Sequence, residues 1–156
     1  MGLKQDILSE PVSELELRPV LTASGDMTVR EAVAKMRHAR LGYMVLLDDQ
    51  DRPVHMFTER MMIKILLEGR AALDRPLTDF YYKPADRIGR GEPIAKLIQM
   101  MHEGDLRFVC VVDEAGKCIG VTGQKGVMEY IADHFPRQVK VQTLEPRLFI
   151  KHREGA

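Results

Sequence analysis

A basic residue lies at the start of each of two predicted helices, and a cation in that position can bind an anion. Arg60 and Lys125 fall in the first turn of predicted helices at 59–68 and 125–133, where unpaired backbone N–H groups favour negative charge. Thr58 directly precedes the first helix, so its hydroxyl can cap that helix, touch a ligand or do both. Each cation can contact a phosphate or remain a solvated surface residue, and both interpretations stay open here.

Other kinds of chemistry need residue spacings that this sequence lacks. The five histidines contain no ligand pair such as His-x3-His, and the methionine pairs at 61–62 and 100–101 fit buried helix stripes. No serine or cysteine stands beside a histidine in a nucleophile motif. The glycines at 89–91 indicate a turn, and the acidic run at 48–51 indicates a hairpin turn. We therefore expect no catalytic residue, no metal site and no enzyme activity.

The composition limits the class of protein. The 156 residues carry 23 Lys and Arg against 23 Asp and Glu, and 45% are hydrophobic. These values exclude wholesale disorder and argue against a nucleic-acid partner, which favours a basic excess. Residues 1–20 contain no apolar signal core, no apolar run is long enough to span a membrane, and two cysteines are too few for a disulfide-stapled secreted domain. We expect a cytoplasmic protein without membrane insertion.

The elements that position the two helix starts occur twice, at a shift of 65 residues without gaps. Five positions have identical partners in the second copy, namely Pro11, Pro19, Met36, Leu41 and Asp48. At the other matched positions the chemical class repeats, which is what a repeated fold requires. Matched prolines, helix stripes and strand pairs together indicate an internal duplication.

Each copy is predicted to contain a strand, a helix, two strands and a helix. In the first copy Thr28 and Glu31 have the spacing of a capping box at a helix start. Apolar runs at 43–47 and 108–112 indicate buried strands, each followed by turn residues and a second strand. One copy is too small to bury its sheet well alone, so the two should pack sheet to sheet around a ligand groove.

The predicted fold class is α+β (α/β), with two β-α-β-β-α repeats packed pseudo-symmetrically. The boundaries are an N-terminal extension at 1–10, a first repeat at 11–72, a second repeat at 73–135 and a basic C-terminal tail at 136–156. The tail carries five basic and two acidic residues together with the apolar stretch 148–150, which a disordered tail rarely contains. We hypothesise that part of it packs on the module or on a second subunit.

This order of elements resembles the cystathionine-beta-synthase (CBS) domain, present as the tandem pair called a Bateman module. The residues that carry the resemblance are 11–15, 27–33, 41–48 and 57–60 in the first copy, and 106–113 and 119–121 in the second. The resemblance implies a pseudo-two-fold pair, a homodimer that is head-to-head or head-to-tail, and a regulatory module without catalysis. It also implies that adenine nucleotides or S-adenosylmethionine bind in the clefts between repeats.

The family motif for the ligand, Gly-h-h-[Thr/Ser]-x-x-Asp with h an apolar residue, is altered in both copies. The first copy has His55 in place of the glycine and Met61 in place of the aspartate. The second keeps Gly120 but has Gly123 at the threonine position and Gly126 at the aspartate position. Neither substitute can accept hydrogen bonds from a ribose diol. Affinity would therefore come from apolar cleft walls and a phosphate contact at a helix end.

The resemblance also assigns residues to the cleft walls. Tyr43 and Phe108 stand at equivalent strand starts and could flank an adenine ring, although core packing is the alternative. Val20, Leu21 and Thr22, with Ile88 in the other copy, fall where family members offer backbone groups to a base. The complete candidate set is Val20, Leu21, Thr22, Tyr43, Thr58, Arg60, Met61, Ile88, Phe108, Gly123, Lys125 and Gly126.

The leading functional hypothesis is a stand-alone regulatory CBS pair. It would sense AMP, ADP, ATP or S-adenosylmethionine between its repeats, need no other cofactor, form a homodimer and modulate a client enzyme or transporter. The alternative is a ligand-free dimerisation or scaffold module that acts through protein contacts. A ligand selective for the native state raises thermal stability by mass action, so a ligand screen separates the two hypotheses.

Overall fold

The computed structural model describes residues 3–81 and 83–134, so the predicted tail at 136–156 lies outside the described residues. The helices are α1 (Leu3–Ser9), α2 (Val29–Ala39), α3 (Glu59–Leu67), α4 (Ile94–Gly104) and α5 (Gln124–His134). The strands are β1 (Thr22–Ala23), β2 (Tyr43–Leu47), β3 (Pro53–Thr58), β4 (Arg87–Gly89), β5 (Phe108–Val112) and β6 (Cys118–Gly123). Short 3-10 turns cover Val12–Glu14, Arg70–Asp74 and Leu77–Phe80. Within the described ranges, no helix combines the length and apolar character that crossing a membrane requires.

The element positions repeat with the predicted shift. Helices α2 and α4 begin at Val29 and Ile94, and strands β2 and β5 begin at Tyr43 and Phe108. Each pair is 65 residues apart, as are the starts of β1 and β4, β3 and β6, and α3 and α5. The predicted α+β class and the β-α-β-β-α order are therefore confirmed. Any residue in one copy can be compared with its equivalent in the other by adding or subtracting 65.

Each repeat builds a three-stranded sheet whose middle strand is parallel to one neighbour and antiparallel to the other. β2 lies between β1 and β3, and β5 lies between β4 and β6. The two sheets meet through a buried cluster that consists of Tyr43, Val45, Cys110 and Val121. The rings of Tyr43 and Phe108 have centroids 5.0 Å apart. Because these two residues are equivalents, their contact places the pseudo-two-fold axis between them.

The two predicted helix caps have different outcomes. At the start of α2, the Thr28 side chain accepts a hydrogen bond from the Glu31 amide, and the Glu31 carboxylate accepts one from the Thr28 amide at 2.8 Å. The capping box is thus confirmed. Thr58 occupies the N-cap position of α3, but its side chain makes no capping hydrogen bond. The capping role expected for its hydroxyl is wrong, because Thr58 is still the last residue of β3, paired with Tyr43.

The segment that leads into each repeat completes the core of the other repeat. Val12 is fully buried in the core of the second repeat, and Leu77 is fully buried in the core of the first. The Val12 amide donates to the Glu92 carbonyl and the Leu77 amide to the Met27 carbonyl, both at 2.8 Å. This reciprocal exchange joins the two repeats through hydrogen bonds and apolar packing, and it fixes the clefts between them.

Candidate functional site

Two pseudo-equivalent clefts lie between the repeats. We call cleft A the space between the β3–α3 junction and residues 81, 83–86 and 104–108 of the second repeat. Cleft B is its equivalent at the β6–α5 junction, facing segments 16–21 and 39–43 of the first repeat. Cleft A holds a cavity of about 410 Å³, which is within the size range of small-molecule sites.

The wall of cleft A has an apolar part suited to a flat ring. Met56 and Met61 contribute thioether side chains from the first repeat, and Pro84, Ala85 and Phe108 line the opposite side. Phe108 is half-buried, so part of its ring remains available within the cavity. Aromatic and thioether groups adapt to planar ligands through dispersion and face contacts.

The rim of cleft A is charged. Four cations and three carboxylates line it, namely Arg60, Lys64, Lys83, Arg107, Glu59, Asp86 and Asp105. The rim therefore carries one more positive than negative group. Within residues 3–81 and 83–134, no group of three His, Cys, Asp or Glu side chains is arranged to hold a metal ion.

Two ion pairs order part of this rim. Arg60 Nη2 lies 2.6 Å from Asp105 Oδ2, and Arg60 Nη1 donates to the Asp105 carbonyl at 3.0 Å. Lys83 Nζ lies 2.7 Å from Asp86 Oδ2. Among the described residues, Lys64 has no carboxylate within salt-bridge distance. The pair between Arg60 and Asp105 bridges the first repeat to the second across the cleft mouth.

Tyr81 lines cleft A, and His55 of β3 stacks on it. Their rings stack with centroids 4.5 Å apart and planes 7° from parallel. His55 Nδ1 lies 3.0 Å from the Lys83 carbonyl, and since a carbonyl only accepts, this nitrogen must carry the hydrogen. The Tyr81 hydroxyl is buried without a hydrogen-bond partner among the described residues, and burial raises the pKa of Tyr81 to about 12.

Cleft B is spanned by the protein's own side chains. Arg18 Nη2 lies 2.6 and 2.5 Å from the two carboxylate oxygens of Glu129. The buried Tyr43 hydroxyl donates to the Pro19 carbonyl at 2.7 Å, and burial raises the pKa of Tyr43 to about 12. The backbones of Arg18 and Val121 also exchange two hydrogen bonds, at 2.8 and 3.0 Å. Main chain and side chains together close this cleft.

Gly120 of the second copy permits this closure, and Gly123 permits a close contact inside the second repeat. A Cβ atom at Gly120 would lie 2.8 Å from the Leu17 Cβ and 3.2 Å from the Arg18 carbonyl oxygen. A Cβ atom at Gly123 would lie 2.0 Å from the Arg107 carbonyl oxygen. The first copy carries His55 and Thr58 at the equivalent positions. The altered motifs therefore distinguish a copy in which Gly120 lets Leu17 of the entry segment pack closely from one in which the His55 ring contacts Tyr81 and Lys83 of the entry segment.

The twelve predicted residues divide between the two clefts and the core. Four of them line cleft A: Thr58, Arg60, Met61 and Phe108. Tyr43, Gly123, Lys125 and Gly126 belong to the segments that form cleft B. Ile88 is buried in the core of the second repeat, Leu21 packs against the core of the first, and Val20 packs between the sheets. Thr22 is an exposed residue of β1.

Several residues of cleft A were not predicted from the sequence. The spacing of one of them, Lys64, could have indicated its position. Lys64 follows Arg60 by four residues on α3, a spacing that places both on one helix face. Lys83 and Asp86 precede β4, and Asp105 follows α4. Their convergence depends on how the two repeats dock, which local sequence patterns do not encode.

Comparisons with known proteins agree with this architecture. Residues 12–68 and 80–133 match the CBS domain model. A relative from Methanopyrus kandleri, "Uncharacterized protein MK0525", is 26% identical over 122 residues, which is 78% of this chain and 62% of that protein. The "Uncharacterized 17.7 kDa protein in bps2 3'region" of Acidianus ambivalens is 21% identical, with 81% and 76% of the two chains covered. The chain thus spans less than two thirds of the Methanopyrus protein.

Two solved structures share the fold. The CBS domain protein PAE2072 from Pyrobaculum aerophilum, complexed with AMP, has a TM-score of 0.67 and 24% identity, covering 77% of this chain and 97% of its own. The CBS domain pair of protein MJ0100, in complex with 5'-methylthioadenosine and S-adenosyl-L-methionine, has a TM-score of 0.70 and 15% identity, with 80% and 97% covered. At these identities the similarity shows the fold.

Proposed function

The chain belongs to the CBS domain family as a tandem pair, and we propose that it is a regulatory module that binds an adenosyl ligand in cleft A. The observation that carries this proposal is the 410 Å³ cavity, which combines an apolar wall with a charged rim. Such a cavity suits a ligand with a flat base at one end and polar groups at the other. The adenosyl ligands of PAE2072 and the MJ0100 pair support this ligand class.

The residues of cleft A divide the work of binding. In the proposed complex the base lies against Met56, Pro84 and Phe108, and the sugar and its substituents face the rim. Met61 cannot accept hydrogen bonds from a ribose diol. Asp86 and Asp105 supply carboxylate oxygens elsewhere on the rim, so the cavity does not lack acceptors.

Regulation follows from the fact that both repeats contribute to one cavity. Arg60 belongs to the first repeat, and Asp105 belongs to the second. A ligand that contacts these groups more favourably in one relative position of the repeats than in another lowers the free energy of that position. That difference can reach a client protein, for which an enzyme or a transporter in the cytoplasm is the proposed class.

A ligand screen with a matched pair of variants tests this function. Thermal unfolding of the full chain is measured with AMP, ADP, ATP and S-adenosylmethionine, where a ligand at about 100 times its Kd adds about 2.7 kcal/mol of stability. Ala85→Leu fills part of cleft A and should abolish the shift. Its equivalent in the other copy, Val20→Leu, should retain it. No shift with any of these compounds at millimolar concentration contradicts the proposal.

A second candidate function, ligand-free dimerisation, rests on an exposed apolar surface. Ile63, Leu66 and Leu67 on α3 are 66%, 56% and 84% exposed, and Met128 on α5, the equivalent of Ile63, is 60% exposed. Exposed large apolar residues on neighbouring turns are typical of interaction surfaces. A homodimer through α3 is the proposed assembly.

Molar mass by light scattering tests this assembly. Leu67→Glu should convert a dimer into a monomer, while Leu8→Glu, at an exposed apolar residue of α1, should not. A dimer that persists in Leu67→Glu contradicts the proposed surface. A ligand-independent dimer combined with no ligand shift favours the scaffold function over the sensor.

A further inference from the structure

The two clefts carry different charges at one pair of equivalent positions. In cleft B, Arg18 faces Glu129 and binds both of its carboxylate oxygens. Subtracting 65 from Glu129 gives Lys64, and adding 65 to Arg18 gives Lys83. Both lysines line the cavity of cleft A. An attractive pair in one cleft is therefore replaced by two cations in the other.

We infer that cleft A binds an anionic group, a phosphate or pyrophosphate, between Lys64 and Lys83, and that Glu129 occupies the equivalent place in cleft B. The inference rests on the proposed function, to which it adds the chemical class of the ligand and a ratio of one ligand per chain. An adenosyl ligand with a phosphate fits this arrangement, and a cationic sulfonium ligand does not.

The charges of the rim favour an anion over a neutral or cationic group. Asp86 partly neutralises Lys83, and Asp105 partly neutralises Arg60. Lys64 has no ion-pair partner among the described residues, and Glu59 is the remaining carboxylate of the rim. Two lysines that line one cavity repel each other, and an anion between them turns this repulsion into two charge-assisted hydrogen bonds.

Cleft B excludes the same ligand for a matching reason. The side chains of Arg18 and Glu129 are 29% and 34% exposed, so their pair is partly buried. A phosphate that entered would have to displace Glu129 from Arg18 against the repulsion of its carboxylate. The two backbone hydrogen bonds between Arg18 and Val121 hold the entry segment in place.

Calorimetric titration of the full chain tests the inference with four probes: AMP, adenosine, S-adenosylmethionine and inorganic pyrophosphate. AMP should bind at one per chain and about tenfold or more tightly than adenosine or S-adenosylmethionine, since a charge-assisted contact is worth about a factor of ten or more. Lys64→Glu, which installs in cleft A the charge pattern of cleft B, should weaken AMP by more than tenfold, and Lys64→Gln by about tenfold.

The other cleft supplies the control. Glu129→Gln keeps the shape of the residue and should leave AMP binding in cleft A unchanged, and Glu129→Lys should raise the ratio toward two ligands per chain. Circular dichroism of each variant and the use of two different Lys64 substitutions show whether a loss of AMP binding results from misfolding.

The outcomes separate the inference from the function that it extends. If adenosine and AMP bind equally and both Lys64 variants leave them unchanged, the anion site is wrong and the adenosyl function stands. If pyrophosphate binds in a Lys64-dependent way and AMP binds no tighter than pyrophosphate, the anion site stands and the adenosyl function is wrong. If no probe binds, both are wrong.

Discussion

Clefts A and B are built from equivalent strands and helices, yet cleft A contains a cavity with the Arg60–Asp105 ion pair on its rim, and cleft B is spanned by the pair of Arg18 and Glu129. The backbone elements start 65 residues apart throughout both repeats, so the fold itself does not explain the contrast. A few side chains do: Glu129 closes cleft B against Arg18, and its equivalent Lys64 leaves cleft A open. Duplication supplied two equivalent clefts, and in the proposed function single residues decide which one takes a ligand.

The main chain also differs between cleft A and cleft B. Gly120 lets the entry segment approach until Leu17 lies where a Cβ atom would clash. His55 occupies the equivalent position in the first copy, and its ring stacks on Tyr81 instead. The entry segment of the second repeat meets β3 through the Ala85 amide, which donates to the Val54 carbonyl at 2.8 Å, whereas that of the first repeat pairs with β6 through Val121.

We expect the largest loss of stability at Gly123, which lacks the space for a Cβ atom that its equivalent Thr58 has. Gly123→Ala places a Cβ atom 2.0 Å from the Arg107 carbonyl oxygen, so the backbone must shift, at a cost of about 3 kcal/mol. Thr58→Ala at the equivalent position should cost less than about 1 kcal/mol, because the Thr58 hydroxyl makes no capping bond. Urea unfolding of both variants measures the difference. Equal losses would show that the copies do not differ in packing at this junction.

The altered motif residues show how far the sequence leads and where it stops. Hydrophobic periodicity, the prolines and the shift of 65 residues between the copies were enough to predict the helices, the strands and the capping box at Thr28. The same reasoning predicted Arg60 and Met61 at a ligand cleft, and both residues line the cavity of cleft A. It treated His55 and Gly123 as defects of a motif, because their effect depends on contacts with segments that are distant in sequence.

Cleft A should depend on the ring at position 55. His55→Gly removes the stack on Tyr81 and the hydrogen bond to the Lys83 carbonyl, so two residues that line the cavity lose their support from β3. We expect about tenfold weaker binding of the ligand that the screen identifies, or about 1.4 kcal/mol. His55→Phe keeps a ring and should retain most of the affinity. Undiminished binding by His55→Gly would show that the ring does not hold the cleft open.

Tyr43 gives cleft B a hydrogen bond that Phe108 cannot give cleft A. Tyr43→Phe leaves the Pro19 carbonyl without its donor and should cost about 1 kcal/mol at neutral pH. Burial raises the pKa of Tyr43 from 10.0 to about 12, so the protonated form is favoured in the folded state. The stability from this group is therefore complete below pH 10 and is lost as the pH rises from 10 to 12.

Unfolding as a function of pH tests this assignment. The wild-type protein should lose more stability between pH 10 and 12 than Tyr43→Phe does. Burial also raises the pKa of Tyr81 to about 12 and raises the pKa of Tyr130. Both residues are present in both proteins and contribute to the loss that they share. Parallel stability curves for the two proteins would contradict the role given to Tyr43.

The smallest effect concerns the ion pair that closes cleft B. Arg18 and Glu129 are each about one-third exposed, so solvent screens their attraction, and Glu129→Ala should cost about 1 kcal/mol. Lys64→Ala, its counterpart in cleft A, should change stability by less than about 0.5 kcal/mol, because Lys64 has no ion-pair partner among the described residues. A double-mutant cycle over Arg18→Ala and Glu129→Ala isolates the coupling between the two side chains. A coupling near zero would mean that backbone packing at Gly120, rather than charge, keeps cleft B closed.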